Sequence, residues 1–448
     1  MSAAGELHDA GMFQRFFRSE ASGAIVLVFA TILALAWANS PWSASYFDLQ
    51  HTYIGVSWGD ATFHLSLQHW INDGLMVLFF FVVGLEIKRE LLVGHISSVR
   101  LATVPVVAAV GGMLVPAALF LAFNAGTEAA RGWGVPMATD IAFALGILAL
   151  LGSRVPTSLK VFLTAVAIAD DIGAVLVIAI FYTANVNIVA LGVAVALFLL
   201  LVAANRAHLR APLVYVLLGL GVWVGVFASG VHATVAGILV AFAVPIRARI
   251  EPAEFFERMR RAGRDLEEVK EGEISRVSMI LEPAQMEWLD DLQHTIGDMI
   301  PSGIALEHAL HRIVSFLILP LFALFNAGVA LSPEKLGLLG DPVTLGVILG
   351  LVLGKQIGVT LFTWLAVKSG RGSRPDGVTW PMIYGVSCLA GVGFTMSLFI
   401  SELAFHATLV DEAKIGILAG SLIAGVWGYL VLRRAIAKLP ADAKTIVA

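Results

Sequence analysis

The chain has 448 residues, of which 58% are hydrophobic and only 14% are charged. A soluble domain carries about a quarter charged residues, whereas the hydrophobic residues here occur in blocks of about twenty, the length that crosses a hydrocarbon core of about 30 Å. The net charge of −4 and the single cysteine, Cys388, exclude a basic nucleic-acid surface and a disulfide framework. Composition therefore predicts a polytopic membrane protein.

The apolar blocks predict twelve transmembrane helices. In chain order they lie near residues 22–40, 70–87, 101–123, 131–151, 160–182, 188–205, 212–230, 232–246, 312–332, 343–367, 380–403 and 414–432. The chain then divides into an N-terminal segment (1–21), spans 1–8 (22–246), an acidic linker with an insert (247–311), spans 9–12 (312–434) and a C-terminal tail (435–448).

The positive charges give an independent test of this count. When the loops alternate between the two sides, 25 of the 29 Lys and Arg residues fall on the side of both termini. Arg131, Lys335 and Lys414 fall on the other side, and Lys355 lies within a span. Because basic loops mark the cytoplasmic side, both termini are predicted to be cytoplasmic.

Two segments lie outside the predicted spans. Residues 51–67 alternate around Gly59-Asp60, which predicts a small external β-hairpin. Residues 251–300 carry thirteen acidic and six basic residues at helical spacing, which favours a solvated cytoplasmic helical insert. The alternative interpretation of this insert is a regulatory element.

Charged residues occur about ten residues into three of the spans, near the midplane of the bilayer. Span 4 contains Thr139-Asp140, span 5 contains Asp170-Asp171, and span 10 contains Lys355. An ionisable group at this depth costs several kcal/mol and indicates a functional site. The structural alternative, buried ion pairs that hold helices together, leaves two carboxylates without a counter-charge.

Spans 4 and 11 contain helix-breaking residues at the same depth. Pro136 removes a helical hydrogen bond before Asp140, and Gly391 and Gly393 interrupt span 11. One interrupted span in each half is typical of a transporter site built from broken helices. Spans 4 and 11 cross in opposite directions, so any repeat that relates them in this all-α fold must be inverted.

Carboxylates, a threonine hydroxyl and unwound carbonyls are oxygen ligands that suit a small hard cation such as sodium. The same carboxylates can hold protons, because two adjacent aspartates in a poorly solvated site cannot both ionise cheaply. One site that holds either sodium or protons, presented alternately to the two sides, is an antiporter.

Several long motifs resemble the NhaA-type sodium/proton antiporter family. They are LFFFVVGLEIKREL (78–91), ATDIAFALGILALLGSRVP (138–156), AIADDIGAVLVIAIFYT (167–183), SGVHATVAGI (229–238), LPLFALFNAGV (319–329), LGKQIGV (353–359) and GVGFTMSLFI (391–400). The similarity runs from about residue 19 to residue 434, and the 251–303 linker departs from it. The family implies an inverted repeat, here of spans 3–5 and 10–12, in a transporter of the bacterial inner membrane. Such a transporter is electrogenic, has no cofactor and exchanges sodium or lithium for protons.

The resemblance also implies roles for individual residues. Asp170 and Asp171 match the family's paired aspartates, with Asp171 favoured as the direct sodium ligand, and Thr139 and Asp140 match extended-chain residues that help to bind the ion and balance the half-helix dipoles. The sodium ligands would thus be Asp171, Asp170 and Thr139. Lys355 matches an essential lysine, which either pairs with Asp170 or balances the ends of span 11. The 51–67 hairpin would form a homodimer contact.

A cytoplasmic pH-sensing cluster is a further family feature. Its positions match Glu86, Arg89, Glu90, Glu307, His308 and His311. For Glu86, Arg89 and Glu90, the structural alternative is a helix end whose charged side chains reach the membrane interface. For His308 and His311, it is a solvated helix face. Asp73 matches another acidic position in span 2, and His232 follows the family's HAT motif, although a hydrogen-bonded interfacial histidine explains it equally well.

Two other functions fit parts of the pattern. A different sodium-coupled transporter on the same scaffold would need a roomier site with groups for an organic solute, whereas the midplane groups here are acidic and compact. An intramembrane aspartyl protease needs two aspartates that face each other across a peptide bond. Asp140 and Asp170 could imitate that pair, but the GxGD signature is missing and Ala169 precedes Asp170.

Overall fold

A computed structural model describes most of the chain. The described residues are 20–58, 61–94, 98–183, 186–207, 209, 212–246, 250, 252–271, seven residues between 289 and 299, 301–330, 337–406 and 408–438. The N-terminal segment, the C-terminal tail beyond residue 438 and much of the predicted insert lie outside them.

Helices dominate the first part of the chain. They are α1 (Glu20–Ala38), α2 (Ser43–Gln50), α3 (Leu67–Leu92, with a π-helical turn at Trp70–Leu75), α4 (Val99–Asn124), α5 (Ile141–Leu150), α6 (Thr157–Phe181), α7 (Ile188–Arg206), α8 (Pro212–Ala228) and α9 (Thr234–Ala243). A 3-10 helix, Glu128–Met137, precedes α5.

The rest of the described chain is also helical. It comprises α10 (Pro252–Glu271), α11 (Ser302–Asn326, with a π-helical turn at Val314–Ile318), α12 (Pro342–Lys368, with a π-helical turn at Gly350–Gly354), α13 (Trp380–Leu389), α14 (Phe394–Ala404) and α15 (Thr408–Ala437). The third π-helical turn ends directly before Lys355. Such turns are frequent at functional sites.

The predicted polytopic architecture is confirmed in its coarse form. Seven described helices are long and apolar enough to cross a membrane, and the number rises to ten if each of three bent pairs forms one span. The sequence predicted twelve spans. The difference comes from α8 and α9, which are apolar but have fewer than eighteen residues.

The predicted hairpin is confirmed as the two-stranded antiparallel sheet of β1 (Tyr53–Trp58) and β2 (Ala61–Ser66). Tyr53 pairs with Ser66, and Trp58 pairs with Ala61. The tip that the sequence predicted, at residues 59–60, lies outside the described residues. The Trp70 indole donates to the Ile54 carbonyl over 3.0 Å, which ties β1 to the start of α3.

Two of the bent pairs coincide with the interruptions predicted in spans 4 and 11. Extended backbone at 138–140 separates the 3-10 helix from α5, with a bend of 41°. Residues 390–393 separate α13 from α14, with a bend of 45°. Breaking these helices leaves backbone N–H and C=O groups without intrahelical partners, and the two breaks lie against each other.

Close helix packing positions the lysine of α12. A side chain at Gly358 would collide with the backbone of Gly111 in α4, so the two helices touch through their glycines. A side chain at Gly112 would lie 2.8 Å from Val359 and 3.8 Å from the Lys355 ammonium. Small residues thus bring the backbone of α4 against α12 at the depth of Lys355.

Candidate functional site

The two broken segments are joined directly by a backbone hydrogen bond. The Asp140 N–H donates to the Val392 carbonyl over 2.7 Å. Backbone groups freed by breaking each helix are therefore partly satisfied by the other broken helix. This arrangement accounts for two interrupted helices in an apolar interior, where an unsatisfied backbone group costs several kcal/mol.

Asp140 caps two half-helices at once. One carboxylate oxygen accepts from the Phe143 N–H over 2.9 Å, at the start of α5. The other accepts from the Thr395 hydroxyl over 2.5 Å and from the Thr395 N–H over 3.1 Å, at the start of α14. Both helices present the positive ends of their dipoles to this carboxyl group.

Thr139, Asp170 and Lys355 form a second buried group beside Asp140. The Lys355 ammonium pairs with Asp170 Oδ2 and donates to the Thr139 hydroxyl over 3.0 Å. That hydroxyl lies 2.7 Å from Asp170 Oδ2 and 2.8 Å from the Ala390 carbonyl. Of the two arrangements that the sequence left open for Lys355, the structure has the pair with Asp170.

Two carboxylate oxygens at this site lack a hydrogen-bond partner among the described residues. They are Asp170 Oδ1 and Asp171 Oδ1, and both are buried. Asp171 as a whole is only 3% exposed. Electrostatic interactions reach Asp171 from Asp170, Glu86, Asp140 and Lys355. Among the described residues, no group of three or more His, Cys, Asp or Glu is arranged to hold a metal ion, but unsatisfied anionic oxygens suit a monovalent cation or a proton.

The helix-breaking residues lie where the broken segments meet α12. A side chain at Gly350 would lie 2.6 Å from the Pro136 ring, and one at Gly391 would collide with the Leu351 carbonyl. A side chain at Gly393 would lie 3.1 Å from the Ala138 carbonyl. The glycines thus allow two unwound segments and a π-helical turn to come together.

Part of the predicted pH-sensing cluster also comes together. Arg89 on α3 donates to Glu90 over 2.8 Å and to Glu307 on α11 over 3.2 Å. Glu90 and Glu307 are buried, at 6% and 9% exposed, and Glu86 is half-buried within electrostatic range of both. His308 and His311, by contrast, are exposed.

The remaining residues singled out from the sequence lie apart from this site. Asp73 is half-buried, and its carbonyl accepts from the Trp223 indole over 2.9 Å. His232 is also half-buried and lies close to the backbone of Tyr182. This contact is in keeping with the structural interpretation of His232.

Sequence reasoning missed the role of Thr395. This residue appeared only as part of the GVGFTMSLFI motif, yet it supplies two of the hydrogen bonds that hold Asp140. The available signal was its position in the first turn of the helix after Gly391 and Gly393, where backbone N–H groups lack intrahelical partners. At the start of the same helix, α14, the Ser421 hydroxyl accepts a hydrogen bond from the Phe394 N–H over 3.2 Å.

Comparison with known proteins gives one consistent result. Residues 14–432 match the family model described as Na+/H+ antiporter 1. The chain is 50% identical over 422 residues to the Na(+)/H(+) antiporter NhaA of Oleidesulfovibrio alaskensis, covering 94% of this chain and 93% of that protein. It is 49% identical over 427 residues to the NhaA of Koribacter versatilis, with 94% and 91% covered. NhaA 2 of Syntrophotalea carbinolica is 45% identical over 428 residues, with 95% and 97% covered.

Proposed function

The chain belongs to the Na+/H+ antiporter 1 family, and from that premise we propose that it extrudes sodium or lithium in electrogenic exchange for protons at Asp170 and Asp171. The observation that carries this proposal is the pair of buried carboxylate oxygens, Asp170 Oδ1 and Asp171 Oδ1, without hydrogen-bond partners. Buried anionic oxygens are costly unless they bind a cation or a proton. Competition between the two for the same oxygens couples their movements in opposite directions.

In this proposal Asp171 is the principal sodium ligand and a proton carrier, because no described cation forms an ion pair with it. Asp170 contributes its unpartnered oxygen to the ion while Lys355 pairs with the other. Thr139 can offer its hydroxyl oxygen, which already lies 2.7 Å from Asp170. Asp140 balances the charge of α5 and α14 and holds the two unwound segments next to the ion.

The fold proposed for this function has twelve spans, with α8 and α9 as the seventh and eighth and each bent pair as one span. Spans 3–5 and 10–12 would form an inverted repeat whose broken members meet at the ion site. Transporters of this architecture expose a midplane site to one side and then the other by moving one repeat against the rest. Breaks at 138–140 and 390–393 are natural points for such movement.

We further propose that both termini and the acidic insert are cytoplasmic, because most Lys and Arg residues fall on that side. The hairpin of β1 and β2 would then be external. The edge of a strand can pair with a strand of another chain, so we propose that the hairpin forms a homodimer contact. The mass of the detergent-solubilised protein, measured with and without residues 53–66, would test this proposal.

Sodium-driven proton release is the direct test of antiport. When sodium is added to acidified inside-out vesicles that contain the chain, we expect protons to leave the lumen as sodium enters. If the exchange is electrogenic, an imposed membrane potential will change its rate. The proposal is contradicted if sodium releases no protons from vesicles in which the folded protein is present.

The same vesicles test the proposed orientation. A protease site inserted near Gly263, within α10, should be cut in inside-out vesicles and protected in intact spheroplasts. Cleavage in spheroplasts would place the insert outside and refute this topology, without bearing on whether sodium and protons exchange.

We propose that Arg89, Glu90 and Glu307 regulate the exchange according to pH. Arg89 connects α3 to α11 through two carboxylates that are almost fully buried. Loss of this charged connection would change how α3 and α11 pack against each other. Because α3 also packs against α6, which carries Asp171, and α11 packs against α14, which carries Thr395, a change in the contact of α3 with α11 can alter access to the ion site.

Arg89→Gln should change the pH–activity profile, because it removes the guanidinium that joins Glu90 on α3 to Glu307 on α11. Arg312→Gln is the matched control, because that guanidinium is exposed on the same helix as Glu307. Equal profiles for Arg89→Gln and the unmodified chain would contradict this regulatory role.

A further inference from the structure

Helix α10 opens the acidic insert and has a distinct arrangement of side chains in its first thirteen residues. Phe256 is 59% exposed, and Phe255 and Met259 are half-buried. The two phenylalanine rings meet edge to face, with centroids 5.8 Å apart. At about 100° per residue, these three residues form one apolar face.

Arginines flank that face. Arg258 lies on one side of the apolar face and Arg260 lies on the other. Arg261 and Arg264 project from the opposite side of the helix, together with Glu254 and Glu257. Arg258 pairs with Glu254 over 2.7 Å, and Arg261 pairs with Glu257 over 3.7 Å. Residues 252–264 therefore carry four arginines against two glutamates, while the acidic residues of α10 are concentrated after residue 264.

The position of α10 in the chain keeps it near the bilayer. It begins nine residues after the end of the apolar helix α9 at Ala243. A chain of that length reaches at most about 30 Å even when it is fully extended. Within the part of the chain that the structure describes, no other helix makes an extensive contact with α10.

We propose that the first half of α10 binds the surface of the bilayer, with Phe255, Phe256 and Met259 in the interface and Arg258 and Arg260 on anionic phospholipid headgroups. An apolar face with flanking basic residues is the pattern of helices that lie in the membrane interface. The net positive charge of this half matches a negatively charged leaflet, and the acidic second half is repelled from it. The occupant of the apolar face is therefore lipid.

Such docking would hold the start of the insert beside the membrane and limit the distance over which the linker to α11 can move. This inference concerns the insert alone and requires only that the neighbouring helices span a bilayer. Failure of this inference would leave the antiport proposal unaffected, because its test measures contact with lipid and involves no transport.

A spin label on either face of α10 tests the proposal in the full chain. The label is placed at Met259→Cys or at Glu257→Cys, whose native side chain is exposed on the opposite side. Both carry Cys388→Ala, which removes the buried native thiol. The chain is reconstituted in phosphatidylcholine vesicles with and without phosphatidylglycerol. Relaxation by oxygen, which concentrates in lipid, is compared with relaxation by a water-soluble nickel chelate.

With anionic lipid present, we expect the label at 259 to favour oxygen and the label at 257 to favour the nickel chelate. Arg258→Gln with Arg260→Gln should lower the ratio of bound to free helix about 30-fold, as expected for two arginines at an anionic surface. Arg261→Gln with Arg264→Gln is the matched control, which removes equal charge from the water-facing side and should have a smaller effect.

Three results would overturn the proposal. Equal access of the nickel chelate to both labels would show that the apolar face is exposed to water. Shielding of the label at 259 from both reagents, with or without phosphatidylglycerol, would show that protein covers this face. If the shielding varies with the protein-to-lipid ratio, the covering protein is a second copy of the chain; otherwise it is the rest of the same chain. Equal immersion in vesicles without phosphatidylglycerol would remove the role of the arginines.

Discussion

Asp171→Asn is expected to abolish sodium/proton exchange while leaving the protein folded. Asparagine keeps the size of aspartate, but it can neither ionise nor carry a titratable proton. The change removes the proposed principal sodium ligand and a proton carrier together. It breaks no ion pair, because Asp171 Oδ1 has no partner in the described structure. Sodium-induced proton release from vesicles should fall to background, and the melting temperature of the purified variant should not fall.

Asp171→Glu is the matched control for this experiment. It retains a carboxylate on the same turn of α6 and should retain exchange, with a changed apparent affinity for sodium because the longer side chain moves the oxygens. Normal exchange by Asp171→Asn would end the proposal that this carboxylate alternates between sodium and protons. A strongly lowered melting temperature would show instead that Asp171 has a structural partner.

Local features of the fold could be predicted because their causes are local. Pro136 removes a backbone donor, and Gly391 and Gly393 permit unwound backbone, so the breaks at 138–140 and 390–393 follow from the residues at those points. The alternation of residues 51–67 likewise predicted the pairing of β1 with β2. Counting residues along each span predicted a common level for Asp140, Asp170 and Lys355, and the structure brings Lys355 against Asp170 and against Thr139, the neighbour of Asp140.

Helix α2 shows where this reasoning ends. Its eight residues are too few to form a stable helix by themselves, and no pattern in the sequence predicted it. Its buried side chains are anchored elsewhere: the Tyr46 hydroxyl donates to the Leu324 carbonyl over 2.7 Å, and Gln50 donates to the Phe325 carbonyl over 2.6 Å. Both acceptors lie more than 270 residues away in the chain, so the helix depends on tertiary contacts.

The same limit applies to the candidate site. Which group Lys355 faces depends on how α6 and α12 pack, and no pattern within either helix reveals it. Asp170 lies 185 residues before Lys355, and Glu307 lies 218 residues after Arg89. The capping of Asp140 by Thr395 spans 255 residues. Residue type and depth therefore identified the participants, whereas the three-dimensional packing was needed to pair them.

Asp170→Asn should lower stability and impair exchange, in contrast to Asp171→Asn. The ammonium of Lys355 is 1% exposed, and its ion-pair partner is Asp170. Breaking a buried pair by removing one member costs about 3–5 kcal/mol, because the remaining charge is left uncompensated. The melting temperature of the purified variant should therefore fall clearly below those of the unmodified chain and of Asp171→Asn. If the two variants melted alike, the pairing of Asp170 with Lys355 would be contradicted.

Combining Asp170→Asn with Lys355→Met separates the structural contribution of this pair from its role in transport. Replacing both members of a buried ion pair by uncharged side chains of similar size is often neutral, so the double variant should regain most of the lost stability. Exchange should stay impaired, because the substituted amide cannot ionise and the remaining Asp171 would have to bind sodium without a second carboxylate. Recovery of exchange together with stability would mean that Asp170 serves only to neutralise Lys355, and Asp171 alone would then couple sodium to protons.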